Sequence, residues 1–170
     1  RTVLYRGYLS LVDRLPLPSL RTQKIIAFLT ILTQGGIAVT GSVVRVTASG
    51  LGCPTWPQCF PGSLVPVGVS SGVNTLHQVV EFGNRLLTFV LAAVAILCFL
   101  AALAAAHRRA SQLSLIIGLG IPAQALLGGV TVLTDLNPWV VAGHFLVSMF
   151  IIMVCVALLD ELRSPSRGLA

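Results

Sequence analysis

The segment HQVVEFGNRLLT, residues 77–88, places polar and ionisable side chains at helical spacing in an apolar context. His77, Glu81, Asn84, Arg85 and Thr88 fall at positions i, i+4, i+7, i+8 and i+11, so a helix would carry them on one stripe. Two interpretations remain open. Glu81 and Arg85 could neutralise each other as a self-contained ion pair, or the stripe could face a bound cofactor or substrate.

A second candidate position is His144, which lies in the apolar segment WVVAGHFLVSMF, residues 139–150. A neutral imidazole can ligate a metal, haem iron included, or can simply hydrogen-bond to a neighbour, and both uses remain open. Helical spacing places Ser148, Ile151 and Cys155 on the same face as His144. Gln124, in another apolar segment, needs a polar partner and is either a contact between helices or part of a pocket.

The stretch SGLGCPTWPQC, residues 49–59, holds Cys53 and Cys59 in a rigid, uncharged segment with two prolines. Such a short gap can reach the Cα separation of ~4.4–6.8 Å that a disulfide needs. A structural disulfide, a redox-active or transfer-linked pair, and a pair of metal ligands are the three alternatives. Cys98 and Cys155 stand alone in apolar runs, where a thiol is normally a small buried apolar group.

The composition indicates the medium that surrounds these residues. The chain is 55% hydrophobic and 9% charged, with a mean hydropathy of +0.93, whereas soluble domains carry roughly 25% charged residues. Four apolar runs are long enough for the ~20 helical residues that cross a bilayer. We therefore predict an all-α, integral membrane four-helix bundle with spans at 25–44, 76–105, 113–133 and 139–159.

Basic residues set the predicted orientation, because cytoplasmic segments of membrane proteins are enriched in Lys and Arg. Nine of the eleven lie on one side of the predicted spans: Arg1, Arg6, Arg14, Arg21, Lys24, Arg108, Arg109, Arg163 and Arg167. This predicts a multi-pass protein of the cell (plasma) membrane with both termini cytoplasmic. It also accounts for the net charge of +6 without nucleic acid as a partner.

The same topology predicts the domain organisation. A cytoplasmic segment, 1–24, precedes a transmembrane domain, 25–160, whose outer Cys loop covers 46–75, and 161–170 forms a cytoplasmic tail or a linker. Asn84 and His144 then lie in the outer half of the bilayer, beneath that loop. A planar apolar ligand could stand between the second and fourth spans, with its acidic groups toward Arg45 or Arg85.

Four runs of the sequence together resemble one membrane enzyme family: TGSVVRVTASGLGCPTWPQC, HQVVEFGNR, QALLGGVTV and AGHF. Over residues 25–160 the chain is similar to the amino-terminal half of haem A synthase. The resemblance implies eight spans built from two four-helix halves, one holding haem b through two histidines and the other receiving haem O. It implies oxidation of a haem O methyl to the formyl of haem A, for cytochrome oxidase biogenesis.

The resemblance also assigns roles by position. It implies that Glu81 is catalytic, that Cys53 and Cys59 form a disulfide, and that His144 ligates haem iron. Arg85 matches the arginine that follows the family's second-span histidine, and Asn84 stands where that histidine is expected. His77 lies two turns outward, so a site with one His ligand is expected. The predicted haem-binding set is His144, Arg85, Arg45, Asn84 and His77.

Other partners and other functions follow from the same observations. Haem O synthase, an electron donor, membrane lipid and a second copy of the chain are the expected partners besides haem O. A haem-binding electron carrier or haem-delivery module is the alternative function, and a quinone-linked thiol oxidase is a third. The missing initiator Met and the ending LLDELRSPSRGLA favour a truncated half, although a compact four-span enzyme is the other expectation.

Overall fold

The protein is all-α, as the sequence predicts. A computed structural model describes residues 17–164, which form four long helices: α1 (Leu20–Val46), α2 (Thr75–Ala104), α3 (Arg108–Leu133) and α4 (Pro138–Arg163). A short 3₁₀ turn, Gly68–Ser71, lies in the connection between α1 and α2, and no strand occurs within 17–164. Each helix overlaps one predicted span.

Some predictions fall outside the described residues. Arg1, Arg6 and Arg14 precede residue 17, and Arg167 follows residue 164, so most of the predicted N-terminal segment and of the tail cannot be compared. The division into cytoplasmic, transmembrane and tail regions stays a prediction, as does the orientation of the two ends.

Each helix begins at a residue whose side chain accepts a backbone N–H. Ser19 accepts from Thr22 at 3.1 Å, Asn74 from Leu76 at 2.8 Å, and Asn137 from Trp139 at 3.0 Å. The first turn of a helix has no internal acceptors for its N–H groups, so these side chains fix where each helix starts. At α3 the same role falls to the ring of His107, whose Nδ1 accepts from Ala110 at 3.2 Å.

The helices form a ring in chain order, α1 beside α2, α2 beside α3, α3 beside α4, and α4 beside α1. The diagonal pairs, α1 with α3 and α2 with α4, make few or no contacts. We call the end that carries the α1–α2 connection and the α3–α4 turn the loop end, and the opposite end the terminal end.

Besides a small cluster of Cys53, Cys59 and Phe60 in the connection between α1 and α2, the apolar core lies in the half of the bundle nearer the terminal end, which we call the terminal half. Its buried members are Ala27, Leu91, Ala95, Cys98, Ala102, Ala110, Ile117, Ile121, Ile151, Val154, Cys155, Leu158, Leu159 and Leu162. In the other half, the loop half, none of residues 35–46, 82–90, 122–128 and 138–150 is buried. Close packing therefore holds the helices together at the terminal end, whereas these segments of the loop half are packed less closely.

All four helices are long and apolar enough to cross a membrane, with mean hydropathies between 1.6 and 2.9 in their most apolar windows. They also display large apolar side chains on their outer faces, for example Phe89 at 73% and Leu119 at 63% exposure. Water would penalise such a surface, whereas lipid would not. The chain is therefore a multi-pass membrane protein.

Candidate functional site

A disulfide closes the tip of the long connection between α1 and α2, residues 47–74, which we call the disulfide loop. Cys53 and Cys59 are bonded, with an S–S length of 2.01 Å and a Cα–Cα distance of 4.3 Å, and both residues have no exposed surface. Their sulfurs are bonded to each other, so in this form neither thiolate can serve as a metal ligand.

Two glycines allow the disulfide loop to pack closely against the ends of two helices. A Cβ at Gly52 would lie 2.2 Å from the carbonyl oxygen of His77, and a Cβ at Gly129 would lie 2.5 Å from the indole ring of Trp56. Real Cβ atoms do not approach other atoms so closely, so both positions require a residue without a side chain. The loop is thereby seated on α2 and on α3 at once.

Glu81 and Arg85 bind the loop between Cys53 and Gln58. Oε2 of Glu81 accepts the N–H of Cys53 at 2.8 Å, while Oε1 accepts from Arg85. The guanidinium also donates to three loop carbonyls, those of Cys53 at 2.9 Å, Thr55 at 3.1 Å and Gln58 at 3.2 Å. The ion pair is thus not self-contained, because its remaining hydrogen-bonding capacity is directed at the backbone of the disulfide loop.

Gln78 performs a similar task for the second part of the loop, and sequence reasoning missed it. Its amide nitrogen donates to the carbonyls of Gly68 and Val73 and to the hydroxyl of Ser71, and its oxygen accepts the N–H groups of Val67 and Gly68. The side chain is completely buried. A polar residue one position after His77 in the first turn of α2 was the only sequence signal for this role.

The remaining members of the predicted stripe have different surroundings. Asn84 accepts a hydrogen bond from Thr40 of α1 at 2.6 Å, so its amide oxygen is tied to the neighbouring helix. His77 is partly buried beneath the loop. Arg45 lies in the last turn of α1, is exposed, and makes no side-chain hydrogen bond or ion pair with any residue between 17 and 164.

His144 occupies the α3–α4 interface in the loop half. Its Nδ1 is enclosed by protein and has no hydrogen-bond partner, and its ring lies against Gly128, whose Cβ would be 3.7 Å from the imidazole Cε1. Gln124 donates to the carbonyl of His144 at 3.2 Å and to the hydroxyl of Ser148, while its own Oε1 is enclosed and unpartnered. Buried polar atoms are normally satisfied, so both unpartnered atoms mark a place where a further interaction is expected.

The structure therefore divides the predicted site residues into two groups. Glu81, Arg85, Cys53 and Cys59 come together at the junction of α2 with the disulfide loop. His144 lies across the ring on α4, with Gln124 as its polar neighbour. Within 17–164 no three His, Cys, Asp or Glu side chains converge as a metal cluster, but haem iron needs only one or two protein ligands.

The fold and site define a class: a multi-pass, four-helix membrane protein with a disulfide-closed loop at one end and a partly buried histidine between two of its helices. Comparison of the sequence with known protein families identifies the family. Residues 24–168 match the family model described as "Cytochrome oxidase assembly protein". The chain belongs to this family.

Several curated relatives carry the name "Heme A synthase". The protein of Geobacillus thermodenitrificans is 31% identical over 137 residues, which cover 77% of this chain and 40% of the relative. That of Geobacillus kaustophilus is 32% identical over 75% of this chain and 39% of the relative. That of Bacillus mycoides is 28% identical over 86% and 49%. The chain thus spans two-fifths to about half of these relatives, and no solved structure matches it.

Proposed function

We propose that this chain is the haem O-receiving half of a haem A synthase. The protein oxidises a methyl group of haem O to the formyl group of haem A, which cytochrome oxidase requires. The supporting relatives bear the name of that enzyme, and the family description refers to cytochrome oxidase assembly. The observation that carries the proposal is the imidazole of His144 at the α3–α4 interface, which makes no hydrogen bond within residues 17–164 and is therefore available to a ligand.

The loop half fits a large, flat, apolar molecule. Its helix segments 35–46, 82–90, 122–128 and 138–150 contain no buried residue, so a ligand there would not have to replace a closely packed core. Glycines in this region, Gly41 and Gly128, present backbone instead of bulky side chains near Asn84 and His144. An apolar ring system can gain dispersion contacts along such walls without displacing a packed core.

His144 would hold the iron of the bound haem. Imidazole is a common haem ligand, and the helix fixes the backbone of His144 while Gln124 binds its carbonyl oxygen. The unpartnered Oε1 of Gln124 is an acceptor in the same interface as the unpartnered Nδ1 of His144. An acceptor that takes the free N–H of a ligating imidazole orients the ring, so we assign Gln124 to positioning and His144 to ligation.

The substrate haem is proposed to have one protein ligand. Asn84, on the diagonally opposite helix, is bound by Thr40, and an amide oxygen engaged in this way is a poor ligand for haem iron. When bound, haem iron supplies the oxidative chemistry, and the chain supplies binding, orientation and shielding from water. Single ligation suits a substrate that must enter and leave better than two-sided ligation does.

The acidic groups of the porphyrin are proposed to point toward Arg45. Arg85 already donates to Glu81 and to three loop carbonyls, so it has little donor capacity left for a ligand. Arg45 lies at the same loop end of the bundle, and its side chain makes no hydrogen bond or ion pair within 17–164. Arg45 is therefore the stronger candidate of the two, and Arg85 acts by holding the loop.

A catalytic role for Glu81 stays a proposal. Both of its carboxylate oxygens already accept hydrogen bonds, Oε1 from Arg85 and Oε2 from the N–H of Cys53. For Glu81 to exchange a proton with a substrate, the disulfide loop has to move away from it. His77, partly buried beneath the loop, would line the same passage.

The disulfide is proposed to be a structural one. Cys53 and Cys59 have no exposed surface, and thiol exchange requires access to a sulfur. Cys98 and Cys155 are buried in the core of the terminal half and cannot relay to the loop. The described residues therefore offer no chain of accessible thiols for a quinone-linked thiol oxidase. A permanent electron carrier would need two ligating histidines. Asn84 stands on α2 where the second one is expected, so this alternative is disfavoured.

Other features of the proposed function follow from the family resemblance. Haem O synthase would supply the substrate, a haem b site would lie in the second four-helix half that the resemblance implies, and an electron donor would return the iron to its starting state. The protein resides in the plasma membrane with both termini cytoplasmic, so the disulfide loop faces outward. Homo-oligomerisation is an additional expectation.

Analysis of the haems that form when this protein is produced tests the proposal. The protein is produced in cells that make haem O, and the extracted haems are identified by mass. We expect haem A from the wild type and none from His144→Ala. His107→Ala, which removes a histidine at the terminal end, is the matched control and should leave haem A formation intact. Equal haem A yields from wild type and His144→Ala would overturn the assignment of His144.

A further inference from the structure

A groove opens between α1 and α4 at the terminal end, far from the disulfide loop. It has a volume of ≈ 460 Å³ and is lined by Arg21, Lys24, Ile25, Phe28, Leu159 and Arg163, together with Leu20. The cations come from the first turns of α1 and the last turn of α4. Two helix ends thus bring three positive side chains to the rim of one apolar groove.

No carboxylate within residues 17–164 forms an ion pair with these three cations. Between residues 17 and 164 the ion pairs are Arg85 with Glu81 and both His107 and Arg109 with Glu161, and none of them includes Arg21, Lys24 or Arg163. Asp160, one turn before Arg163, does not line the groove. Three like charges at one site repel each other, and the repulsion is relieved by an anion.

The remainder of the groove is apolar. Leu159 is buried at 6% exposure and forms its floor, while Ile25 and Phe28 are about half exposed and form its wall. A small inorganic anion would leave this apolar surface without a partner. The surface and the cations together match a molecule that has an anionic head and an apolar tail.

The position along the helices fits the same molecule. Arg21, Lys24 and Arg163 lie at the ends of membrane-spanning helices, where lipid headgroups are found, and Phe28 lies further inside the span. Basic pockets between helix ends are a known mode of binding anionic lipid headgroups. Residues 1–16 of the chain carry three arginines and one aspartate, so their net positive charge makes them poor occupants of a cationic groove.

We propose that this groove binds one anionic phospholipid. Arg21, Lys24 and Arg163 bind the phosphate, and an acyl chain lies along Ile25, Phe28 and Leu159. The lipid would join the start of α1 to the end of α4 where the ring of helices closes. Lipid binding at this groove is independent of haem.

A second groove on the protein supplies the control. It lies between α2 and α3 at the same end, has a volume of ≈ 330 Å³, and contains Phe99, Leu103 and Leu115 beside the single cation Arg108. Replacing Arg108 removes one positive charge from the same end of the bundle without touching the α1–α4 groove.

Native mass spectrometry of the detergent-purified protein tests the proposal. Phosphatidylglycerol and phosphatidylcholine with identical acyl chains are titrated into the wild type, the triple variant R21Q/K24Q/R163Q, and R108Q. Each cation near the lipid surface is worth about a fivefold change in affinity, so the triple variant should bind phosphatidylglycerol about a hundredfold more weakly. R108Q and the wild type should bind one phosphatidylglycerol equally and phosphatidylcholine much more weakly.

Three results would overturn the proposal. First, the triple variant could still bind phosphatidylglycerol as the wild type does. Far-UV circular dichroism and thermal unfolding establish that the variant is folded in that comparison. R108Q could lose the lipid as fully as the triple variant does, which would indicate general charge attraction. Glycerol phosphate could displace phosphatidylglycerol at equal concentration, which would indicate an anion site without a role for the acyl chain.

Discussion

The backbone N–H of Cys53 donates a 2.8 Å hydrogen bond to the carboxylate of Glu81, a residue 28 positions later in the chain. This bond joins the rigid disulfide loop to the first turns of α2. Arg85, one turn further along, reinforces it by donating to the carbonyl of the same cysteine at 2.9 Å. Glu81 and Arg85 therefore bind both the N–H and the carbonyl of one loop residue, and they hold the disulfide loop against the loop end of α2.

Arg85→Ala should loosen the disulfide loop. The substitution removes donors to three loop carbonyls and leaves the buried carboxylate of Glu81 without its cation, so we expect a loss of about 2–3 kcal/mol in the free energy of unfolding. The Cys53–Cys59 disulfide should also become reducible under mild conditions, as measured by thiol alkylation.

Arg45→Ala is the matched control for that experiment, because the Arg45 side chain is exposed and makes no hydrogen bond or ion pair within 17–164. It should leave both stability and disulfide reduction unchanged. If Arg85→Ala and the wild type show the same alkylation rate, the loop is held by its other contacts and the role given to Arg85 is wrong.

Gly129→Ala should displace Trp56. A Cβ at this position would lie 2.5 Å from the indole ring, and neither the ring nor the helix backbone can yield without breaking the contact. Overpacking of this kind costs about 1–3 kcal/mol. Tryptophan fluorescence should report a changed environment for Trp56, with Trp139→Phe as the background to isolate the signal.

Gly118→Ala, in the same helix, provides the comparison. No atom lies within 4 Å of a Cβ at Gly118, and alanine favours helix over glycine by up to about 1 kcal/mol. Stability should stay equal or rise. A fluorescence change as large in Gly118→Ala as in Gly129→Ala would show that the effect arises from the helix and not from the Trp56 contact.

Gln78→Ala should unfold the second part of the loop. Five hydrogen bonds between this side chain and residues 67–73 are lost, and several buried backbone groups become unpaired. The expected destabilisation is at least about 2 kcal/mol, with faster hydrogen exchange at the N–H groups of Val67 and Gly68. Gln112→Ala, an exposed glutamine of α3, should change neither. Unchanged exchange at both amides in Gln78→Ala would contradict the role assigned to Gln78.

The fold was predictable from the sequence because one physical requirement decides it. Four apolar runs of sufficient length can form only helices in a membrane, and the structure has four helices over those runs. The stripe on α2 was predictable for a similar reason, since 3.6-residue periodicity placed Glu81 and Arg85 on one face. Their ion pair is present in the structure. It binds the backbone of the disulfide loop, which is neither a self-contained pair nor a direct contact with a cofactor or substrate.

The partners of the stripe were not predictable, because they come from backbone groups. Hydrogen-bond acceptors at Cys53, Thr55 and Gln58 depend on loop dihedral angles, which no residue type in the loop specifies. The same holds for Gln78, whose partners lie in an irregular segment. The helical face of His144 was anticipated, since Ile151 and Cys155 of the same stripe are buried, whereas the hydrogen bonds of Gln124 required the actual packing of α3 on α4.

Asn84→His should change the coordination of a bound haem. The position lies on α2, across the ring from His144, and the substitution replaces an amide oxygen tied to Thr40 with an imidazole. A second axial histidine converts a haem to a six-coordinate, low-spin form, which absorption and electron paramagnetic resonance spectra distinguish. Haem should then dissociate more slowly. A wild type that is already low-spin with two histidines would contradict the single-ligand site.

Ligation of haem by His144 is the central claim, and imidazole rescue measures it directly. His144→Gly should lose the bound haem absorption of the wild type and regain it when imidazole is added, because free imidazole can take the place of the missing side chain. His77→Gly, prepared in parallel, should keep its haem without rescue. A His144→Gly variant with the wild-type haem content and spectrum before imidazole is added would contradict this assignment.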